Sequence, residues 1–174
     1  MAGISLNLIR VGSEQFTADD ETILSFAVNY TRAIYGSVGI AINRVEDYFI
    51  SNEQAGGYAV IDQDSEAEFL TSQWTVPNNA IDVFVVKLYV GGTAGLSPVK
   101  GTCNKDLPFP TMTGVVIELV DVLTNQVLAH EVGHYLGLDH ETDTTNLMYK
   151  DVPNGGLLTF LQGIAMSTHC FIEG

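Results

Sequence analysis

The chain has 174 residues, 46% hydrophobic and 16% charged, which excludes intrinsic disorder and suffices for one domain with a core. Its 21 acidic and 7 basic residues give a net charge of −14, which disfavours nucleic acids and anionic membranes as partners. No stretch approaches the roughly 18 apolar residues of a membrane span, and the first residues lack the features of a secretory signal. We therefore expect a single domain over residues 1–174 that binds neither nucleic acid nor membrane.

Strands and helices are predicted in alternation along most of the chain. Strands are expected where apolar and β-branched residues alternate or cluster, over residues 4–11, 38–49, 80–90, 96–100 and 113–120. Helices are expected where apolar residues recur at helical spacing, over residues 17–36, 65–74, 124–136 and 157–170. Thr17 and Ser65 are the predicted N-terminal caps, and Gly36 is the predicted end of the first helix.

The first helix has a recognisable apolar pattern. Its apolar residues at helical spacing are Ile23, Phe26, Ala27, Tyr30, Ala33 and Ile34. The order of all elements predicts an α+β protein with an α/β-like upper half built on a mixed sheet. The lower half is expected to be small and irregular and to end in a helix. The boundary falls after Gly137, which divides the chain into an N-terminal subdomain (1–137) and a C-terminal subdomain (138–174).

Three of the four histidines lie in one short segment, HEVGHYLGLDH, at residues 130–140. Residues four apart on a helix are neighbours, so His130 and His134 can bind the same ion. Glu131 lies about 100° further round the helix and can approach the solvent side of that ion without ligating it. The helix must end before His140 can supply a third nitrogen. Gly137 stands where a positive φ allows the chain to reverse.

This set of side chains predicts a catalytic metal. Three neutral imidazoles suit zinc and leave a fourth position for water. Zinc would lower the pKa of that water toward ~7 and polarise a scissile carbonyl, while Glu131 would take the proton of the water and pass it to the leaving amine. We therefore predict one Zn²⁺ held by His130, His134 and His140, with Glu131 as general base and acid. The fourth histidine, His169, is expected at the surface or at a helix end.

The pattern HExxHxxGxxH, followed by Asn146-Leu147-Met148-Tyr149, resembles the metzincin clan of zinc metallopeptidases. In that clan a tight turn carries a methionine beneath the metal-binding imidazoles, and Met148 matches it. The resemblance implies a metzincin-type zincin fold: a mixed twisted sheet, a backing helix, an active-site helix and a small C-terminal subdomain with a final helix. It also implies a zinc-dependent endopeptidase, and it favours a secreted or extracytoplasmic location.

Features of several metzincin families are present. Glu141 follows the third histidine as in astacins, whereas the short connection from His140 to Met148 and the pair Met148-Tyr149 resemble matrixins. The run from Asp82 to Gly92 is similar to pappalysin-like bacterial enzymes. These features assign the clan and leave the family within it open.

The resemblance also implies where a substrate would bind. A protein or peptide in extended conformation would add a strand to the sheet edge above the cleft, with residues 96–102 as the rim. The wall after the methionine turn would line the pocket for the residue after the scissile bond, and Gly155-Gly156 would leave that wall open or mobile. The candidate substrate-binding residues are Leu96, Ser97, Pro98, Val99, Tyr149, Asn154, Gly155 and Gly156. We expect the protein to be a monomer.

The two cysteines leave several states open. Cys103 and Cys170 are compatible with one disulfide, with two free thiols or with a redox-labile thiol. Four aspartates are candidate ligands for a structural calcium, although none of them belongs to an EF-hand loop: Asp62, Asp64, Asp106 and Asp151.

Two other functions are compatible with the motif. One is a zinc-containing interaction or inhibitory module that does not turn over, and Glu131 argues against it because such a site needs no base. The other is metal chemistry of a different class, such as that of an oxygenase, and the helical HExxH pattern with an open water position argues against it.

Overall fold

A computed structural model describes residues 2–91 and 93–174. Its strands are β1 (Gly3–Val11), β2 (Ala41–Ile50), β3 (Val60–Ile61), β4 (Ile81–Val86), β5 (Leu88–Tyr89), β6 (Gly95–Leu96) and β7 (Val115–Glu118). Its α-helices are α1 (Ala18–Gly36), α2 (Asn52–Ala55), α3 (Asp64–Gln73), α4 (Thr124–Tyr135) and α5 (Phe160–Ser167). Within the described residues, no helix combines the length and apolar character needed to span a bilayer. Gly92, the last residue of the pappalysin-like run, lies outside the described residues.

Five strands form one mixed sheet in the order β2-β1-β4-β7-β6. Its first four strands are parallel to their neighbours, whereas β6 at the edge is antiparallel to β7. The short strands β3 and β5 form a separate parallel pair. The predicted α+β architecture with a mixed sheet is therefore confirmed.

The sheet is covered on both faces. Ile4, Leu6 and Leu8 of β1 belong to one apolar cluster with residues of α1 and α4, as their alternation predicts. Ile9 and Val11 point to the opposite face and belong to a second cluster with residues of α3. Every residue of β1 is consequently buried, as is usual for the inner strand of a largely parallel sheet.

Burial of the polar residues of β1 is compensated by a polar network. The side chain of Asn7 donates to Asp82 Oδ1 at 2.7 Å, and Lys105 Nζ lies 2.9 Å from the same oxygen. Burial raises the pKa of Asp82 and lowers that of Lys105, since each charge loses its hydration. Lys105 belongs to the long connection between β6 and β7, so this pair attaches that connection to the sheet.

Helix α1 begins at its predicted cap but buries a different face. Thr17 and Asp20 form a reciprocal capping box, in which Asp20 N–H donates to Thr17 Oγ1 at 3.2 Å and Thr17 N–H donates to Asp20 Oδ2 at 2.8 Å. Phe26 is 68% exposed, whereas Leu24 is buried. These two residues lie about 200° apart on the helix, so only one of them can face the sheet.

Several predicted boundaries were wrong. Helix α3 begins at Asp64 and has no side-chain cap, so Ser65 lies inside the helix instead of capping it. The strand expected over 80–90 ends at Val86, because Lys87 turns toward Asp20 (Nζ–Oδ2, 2.5 Å) and the chain then pairs with β3. The edge strand consists of Gly95–Leu96 instead of residues 96–100, and the last helix is confined to Phe160–Ser167.

We expect Thr17→Ala to lower the free energy of unfolding by about 1 kcal/mol, because the Asp20 N–H would lose its partner. Chemical denaturation of the two proteins measures this difference. Thr22→Ala is the matched control, since Thr22 lies inside α1 and its hydroxyl only donates to Ala18 O. An equal loss in both variants would show that the capping box does not stabilise the helix.

Candidate metal centre

The three histidines of the motif converge. His130 Nε2 and His134 Nε2 lie 3.0 Å apart, and His134 Nε2 and His140 Nε2 lie 3.1 Å apart. His130 and His134 are buried one helical turn apart on α4, whereas His140 is exposed and comes from the segment beyond the helix. The structure therefore brings together two residues that are helical neighbours and a third that reaches them only because the chain turns back.

The reversal takes place at Gly137, which has a φ of 104°. Gly137 N–H donates to His134 O at 2.8 Å, and Leu138 N–H donates to Gly133 O at 3.0 Å, so the last carbonyls of α4 are satisfied. A residue with a Cβ would be strained at this φ. This is the helix end that the motif predicts, and it directs the following segment toward His140.

The backbone orients two of the imidazoles. His130 Nδ1 lies 2.8 Å from Leu147 O, and His134 Nδ1 lies 2.6 Å from Leu138 O. Because a carbonyl only accepts, both Nδ1 atoms carry the proton, and both Nε2 atoms present lone pairs. Burial lowers the pKa of His130 and lowers that of His134 to about 4, so both rings are neutral near neutral pH.

This donor set fits zinc. The Nε2 lone pairs of His130 and His134 face one another at 3.0 Å, so a cation between them would relieve their repulsion. Ligand nitrogens at the usual distance from a tetrahedral zinc lie about 3.3 Å apart, close to the observed separations. A set of three histidines also leaves one position open, as in catalytic zinc sites.

A turn over residues 146–149 closes the site from the other side. Tyr149 N–H donates to Asn146 O at 3.1 Å, and Met148 N–H donates to Asn146 Oδ1 at 2.8 Å. The side chain of Met148 is fully buried. Its sulfur lies against α4: a Cβ placed at Gly133 would be only 2.8 Å from Met148 Sδ. Gly133 stands between the two helical histidines, and the motif alone gives no reason to single it out.

Helix α4 is also attached to the backing helix α1. The buried hydroxyl of Tyr35 donates to Ala129 O at 2.7 Å, immediately before His130. This bond and the shared apolar cluster hold α4 along the sheet. The positions of His130 and His134 therefore depend on packing far from the histidine segment itself.

Glu131 lies beside the histidines in a partly buried position. Burial raises the pKa of its carboxyl group to about 8, and a divalent cation nearby would oppose this shift by favouring the ionised form. Within residues 2–91 and 93–174, no group donates a hydrogen bond to this carboxylate. A Cβ placed at Gly95 would be 2.7 Å from Glu131 Cγ, so edge strand β6 passes directly against the glutamate.

An open cavity of about 330 Å³ lies at His130 and Glu131. One side consists of residues 93–95, and the other consists of Lys150, Asp151 and Val152, which follow the methionine turn. Leu123 and Val127 of the region around the start of α4 add an apolar wall. The cavity thus joins His130, the glutamate, the edge strand and the segment after the turn.

Other segments approach the predicted wall closely at both of its glycines. A Cβ at Gly155 would lie 2.3 Å from the Thr145 backbone, and one at Gly156 would lie 2.2 Å from the Tyr30 hydroxyl. The expectation that Gly155-Gly156 leaves this wall open is therefore wrong: both glycines permit close approach of other segments.

The other candidate substrate-binding residues differ in their surroundings. The Asn154 side chain donates to Leu147 O at 2.9 Å and accepts from Gly156 N–H at 2.9 Å, so it is engaged within the protein. Tyr149 and residues 96–98 are partly exposed, and Val99 is exposed. Contact of these residues with a substrate stays a prediction.

The two cysteines form a disulfide, which selects one of the states that the sequence left open. His169 lies beside it and is only 2% exposed, with Nε2 2.9 Å from Gly101 O. A surface position for His169 is thus wrong, although it does follow the end of α5. Gly101 N–H in turn donates to Tyr135 O at 2.7 Å, which ties the disulfide region to the end of α4.

The aspartates considered for calcium do not converge. Across the described parts of the chain, the groups of three potential ligands are the histidine triad and the disulfide pair with His169. Asp64 instead accepts from the Tyr89 hydroxyl at 2.6 Å, and Asp151 pairs with Lys150 at 2.7 Å.

A peptidase family and two solved structures resemble this chain. The family model for matrixin peptidases matches residues 42–156, which include the histidine segment and the methionine turn. No curated protein matches the chain in sequence. Among solved structures, metalloproteinase-II from Bacteroides fragilis is similar, with a TM-score of 0.67 and 19% identity over 95% of this chain. A structure described as a chaperone–substrate complex has a TM-score of 0.58 and 16% identity over 82% of this chain.

The chain spans about half of the Bacteroides protein, 52%, and 24% of the second structure's chain. At these identities both likenesses concern the fold alone, and the likeness to the Bacteroides metalloproteinase confirms the metzincin-type fold.

The close contact of Gly133 with Met148 gives a test. We expect Gly133→Ala to lower the free energy of unfolding, because overpacking of about 1–3 kcal/mol exceeds the gain of about 1 kcal/mol from replacing a helical glycine. In a Met148→Ala background the new methyl group has room, so the same change should become stabilising. Thermal or chemical unfolding of the four proteins measures both effects. The same cost in both backgrounds would mean that the two residues do not touch.

Proposed function

Because the chain belongs to the matrixin family of metzincin-clan zinc metallopeptidases, we propose that it is a zinc-dependent endopeptidase that cleaves proteins or extended peptides. One observation carries the proposal. The ring nitrogens of three histidines converge on a single point at an open cavity that also contains a carboxylate with no hydrogen-bond donor among the described residues. A structural metal site is closed and has no use for such a group.

In this mechanism His130, His134 and His140 hold one zinc ion. When bound, zinc supplies Lewis-acid chemistry: it makes water acidic and polarises the scissile carbonyl. The Glu131 carboxylate takes a proton from the attacking water and delivers it to the leaving amine nitrogen. Its partly buried position beside the cavity strengthens these electrostatic interactions by excluding bulk water. Met148 supports α4 from below without taking part in proton transfer.

The substrate would bind along β6. This strand is the last in the sheet and pairs with β7 through Gly95 and Leu96, so its other edge can accept an extended peptide. Because Gly95 lies against Glu131, a peptide paired with β6 would have its backbone close to the general base. Main-chain hydrogen bonds would give affinity, and side-chain pockets would give specificity.

The side chain that follows the scissile bond would enter the cavity between α4 and the segment after the methionine turn. Leu123, Val127 and Val152 offer an apolar surface there, and Lys150 and Asp151 carry the charges of that segment. A side chain of moderate size and apolar character fits this lining best. Tyr149 and residues 96–99 remain candidates for additional contacts.

The disulfide supports an oxidising compartment. Such bonds persist in secreted and periplasmic proteins and are rare where thiols are kept reduced. A secreted or extracytoplasmic protease is therefore the form of the proposal that agrees with this bond.

We expect Glu131→Ala to retain zinc and to lose at least about 100-fold in cleavage rate, because the water loses its general base. His134→Ala, in contrast, is expected to lose both cleavage and zinc. Casein or a peptide library reports cleavage, and elemental analysis reports the metal; a chelator should abolish cleavage by the native protein, and added zinc should restore it.

Each departure from this pattern has a distinct meaning. Equal cleavage by all samples would indicate a contaminating protease. Loss of zinc from Glu131→Ala would make Glu131 a ligand instead of a base. Stoichiometric zinc without cleavage of unfolded proteins would favour the non-catalytic interaction module.

A second test concerns the contact between β6 and the general base. We expect Gly95→Ala to lower kcat about 10- to 100-fold with zinc content unchanged, because the new methyl group displaces the Glu131 carboxylate. Gly57→Ala is the matched control, since a Cβ there meets no atom within 4 Å. Unchanged kcat in Gly95→Ala would contradict the placement of the glutamate against the rim.

A further inference from the structure

A chain of hydrogen bonds begins and ends on α4 and passes through the segment after the methionine turn. It starts at Gln126, one helical turn before His130. The amide group of Gln126 makes two hydrogen bonds with the backbone of Asn154. Gln126 Nε2 donates to Asn154 O at 2.9 Å, and Asn154 N–H donates to Gln126 Oε1 at 2.7 Å. Gln126 Nε2 also lies 3.2 Å from the Tyr30 hydroxyl of α1. The backbone position of Asn154 is therefore set by two helices.

The series of hydrogen bonds continues from Asn154 to the metal site. Asn154 Nδ2 donates to Leu147 O at 2.9 Å, and this same carbonyl oxygen accepts from His130 Nδ1 at 2.8 Å. A carbonyl oxygen has two lone pairs, so the two donors use both. Leu147 is fully buried, so a lost donor would leave its carbonyl without that hydrogen bond. Its direction is thus set by Asn154 on one side and by His130 on the other.

We propose that Asn154 and Gln126 are positioning residues for the metal site, a role that rests on the proposed function. Acting in series, they aim the Leu147 carbonyl at His130 Nδ1 and so fix the tautomer and the ring plane of that histidine. The role is distinct from the substrate contact that the sequence predicts for Asn154.

The same bonds close a loop. Its two ends, Leu147 and Asn154, are joined to each other and to α4, and its middle contains Lys150, Asp151 and Val152, which line the cavity. Whatever holds the loop on α4 therefore also holds one wall of the cavity. This links the metal site to the width of the substrate pocket through named contacts.

The test measures zinc affinity by competition with a chromogenic chelator. Asn154→Ala removes the donor to Leu147 O, and Gln126→Leu removes the pairing with Asn154 while keeping the size of the helical side chain. We expect each to weaken zinc binding about 10- to 100-fold, the usual effect of losing an indirect partner of a metal-bound histidine. Asn29→Ala is the control, since the exposed Asn29 side chain only accepts from Arg32, and its zinc affinity should equal that of the native protein.

The double variant provides the decisive comparison. Both residues act through the same Leu147 carbonyl, so the second substitution should have no additional effect once the first has been made. The zinc affinity of the double variant Asn154→Ala/Gln126→Leu should therefore equal that of the weaker-binding single variant. Additive losses would overturn action in series, and native zinc affinity in Asn154→Ala would overturn the positioning role. Melting of the zinc-free proteins identifies general misfolding. If a variant is misfolded, the absorption spectrum of the cobalt-loaded Gln126→Leu protein tests the positioning role instead. A native spectrum overturns the proposal, and an altered ligand field supports it.

These outcomes are independent of catalysis. A native protein that binds zinc but cleaves nothing would refute the proposed peptidase activity and leave the zinc-affinity comparison intact. A native protein that cleaves peptides, together with variants of unchanged zinc affinity, would refute only the positioning role. For active variants, a rise in KM with the loss of zinc affinity is expected, because the cavity wall moves with the loop.

Discussion

The Nε2 lone pairs of His130 and His134 face one another at 3.0 Å and repel one another, and the surrounding structure holds them there. The restraint comes from backbone carbonyls, because Leu147 O and Leu138 O occupy the Nδ1 atoms of His130 and His134 and leave only Nε2 free. A cation is the partner that turns this repulsion into attraction. The energy gained on binding a metal therefore also stabilises the fold around it.

The elements that restrain the histidines lie far apart in the chain. Helix α4 depends on the sheet and on Tyr35 of α1, whereas the two carbonyls belong to segments that follow the reversal at Gly137. Local helix propensity alone could not place His140 within reach of His134. The site is consequently a property of the assembled fold, with rigid packing on one side and a hydrogen-bonded loop on the other.

The sequence was informative where a chemical pattern is local. The spacing of His130, His134 and His140, the glycine at 137 and the cap at Thr17 depend on backbone geometry that repeats in every helix, and the structure has all three features in place. Apolar periodicity likewise predicted the strands of the main sheet and the longer helices, with their ends correct to within a few residues.

Features that depend on contact between distant segments could not be predicted. Gly133 and Gly95 are required because Met148 and Glu131 pack so close to them that a Cβ atom would clash. Sequence spacing does not predict such contacts between distant segments. Phe26 was misassigned because several neighbouring helix positions are apolar and only packing decides which face is covered. The tight fit of Gly156 against Tyr30 has the same origin.

The disulfide between Cys103 and Cys170 encloses all the residues proposed for zinc binding and proton transfer within a covalent ring, since its partners are 67 positions apart. A single cut in a surface segment of that ring would nick the polypeptide without releasing a fragment. A copy cut there by another copy would remain one covalent molecule made of two peptides. The two peptides would separate on a denaturing gel only after the disulfide is reduced.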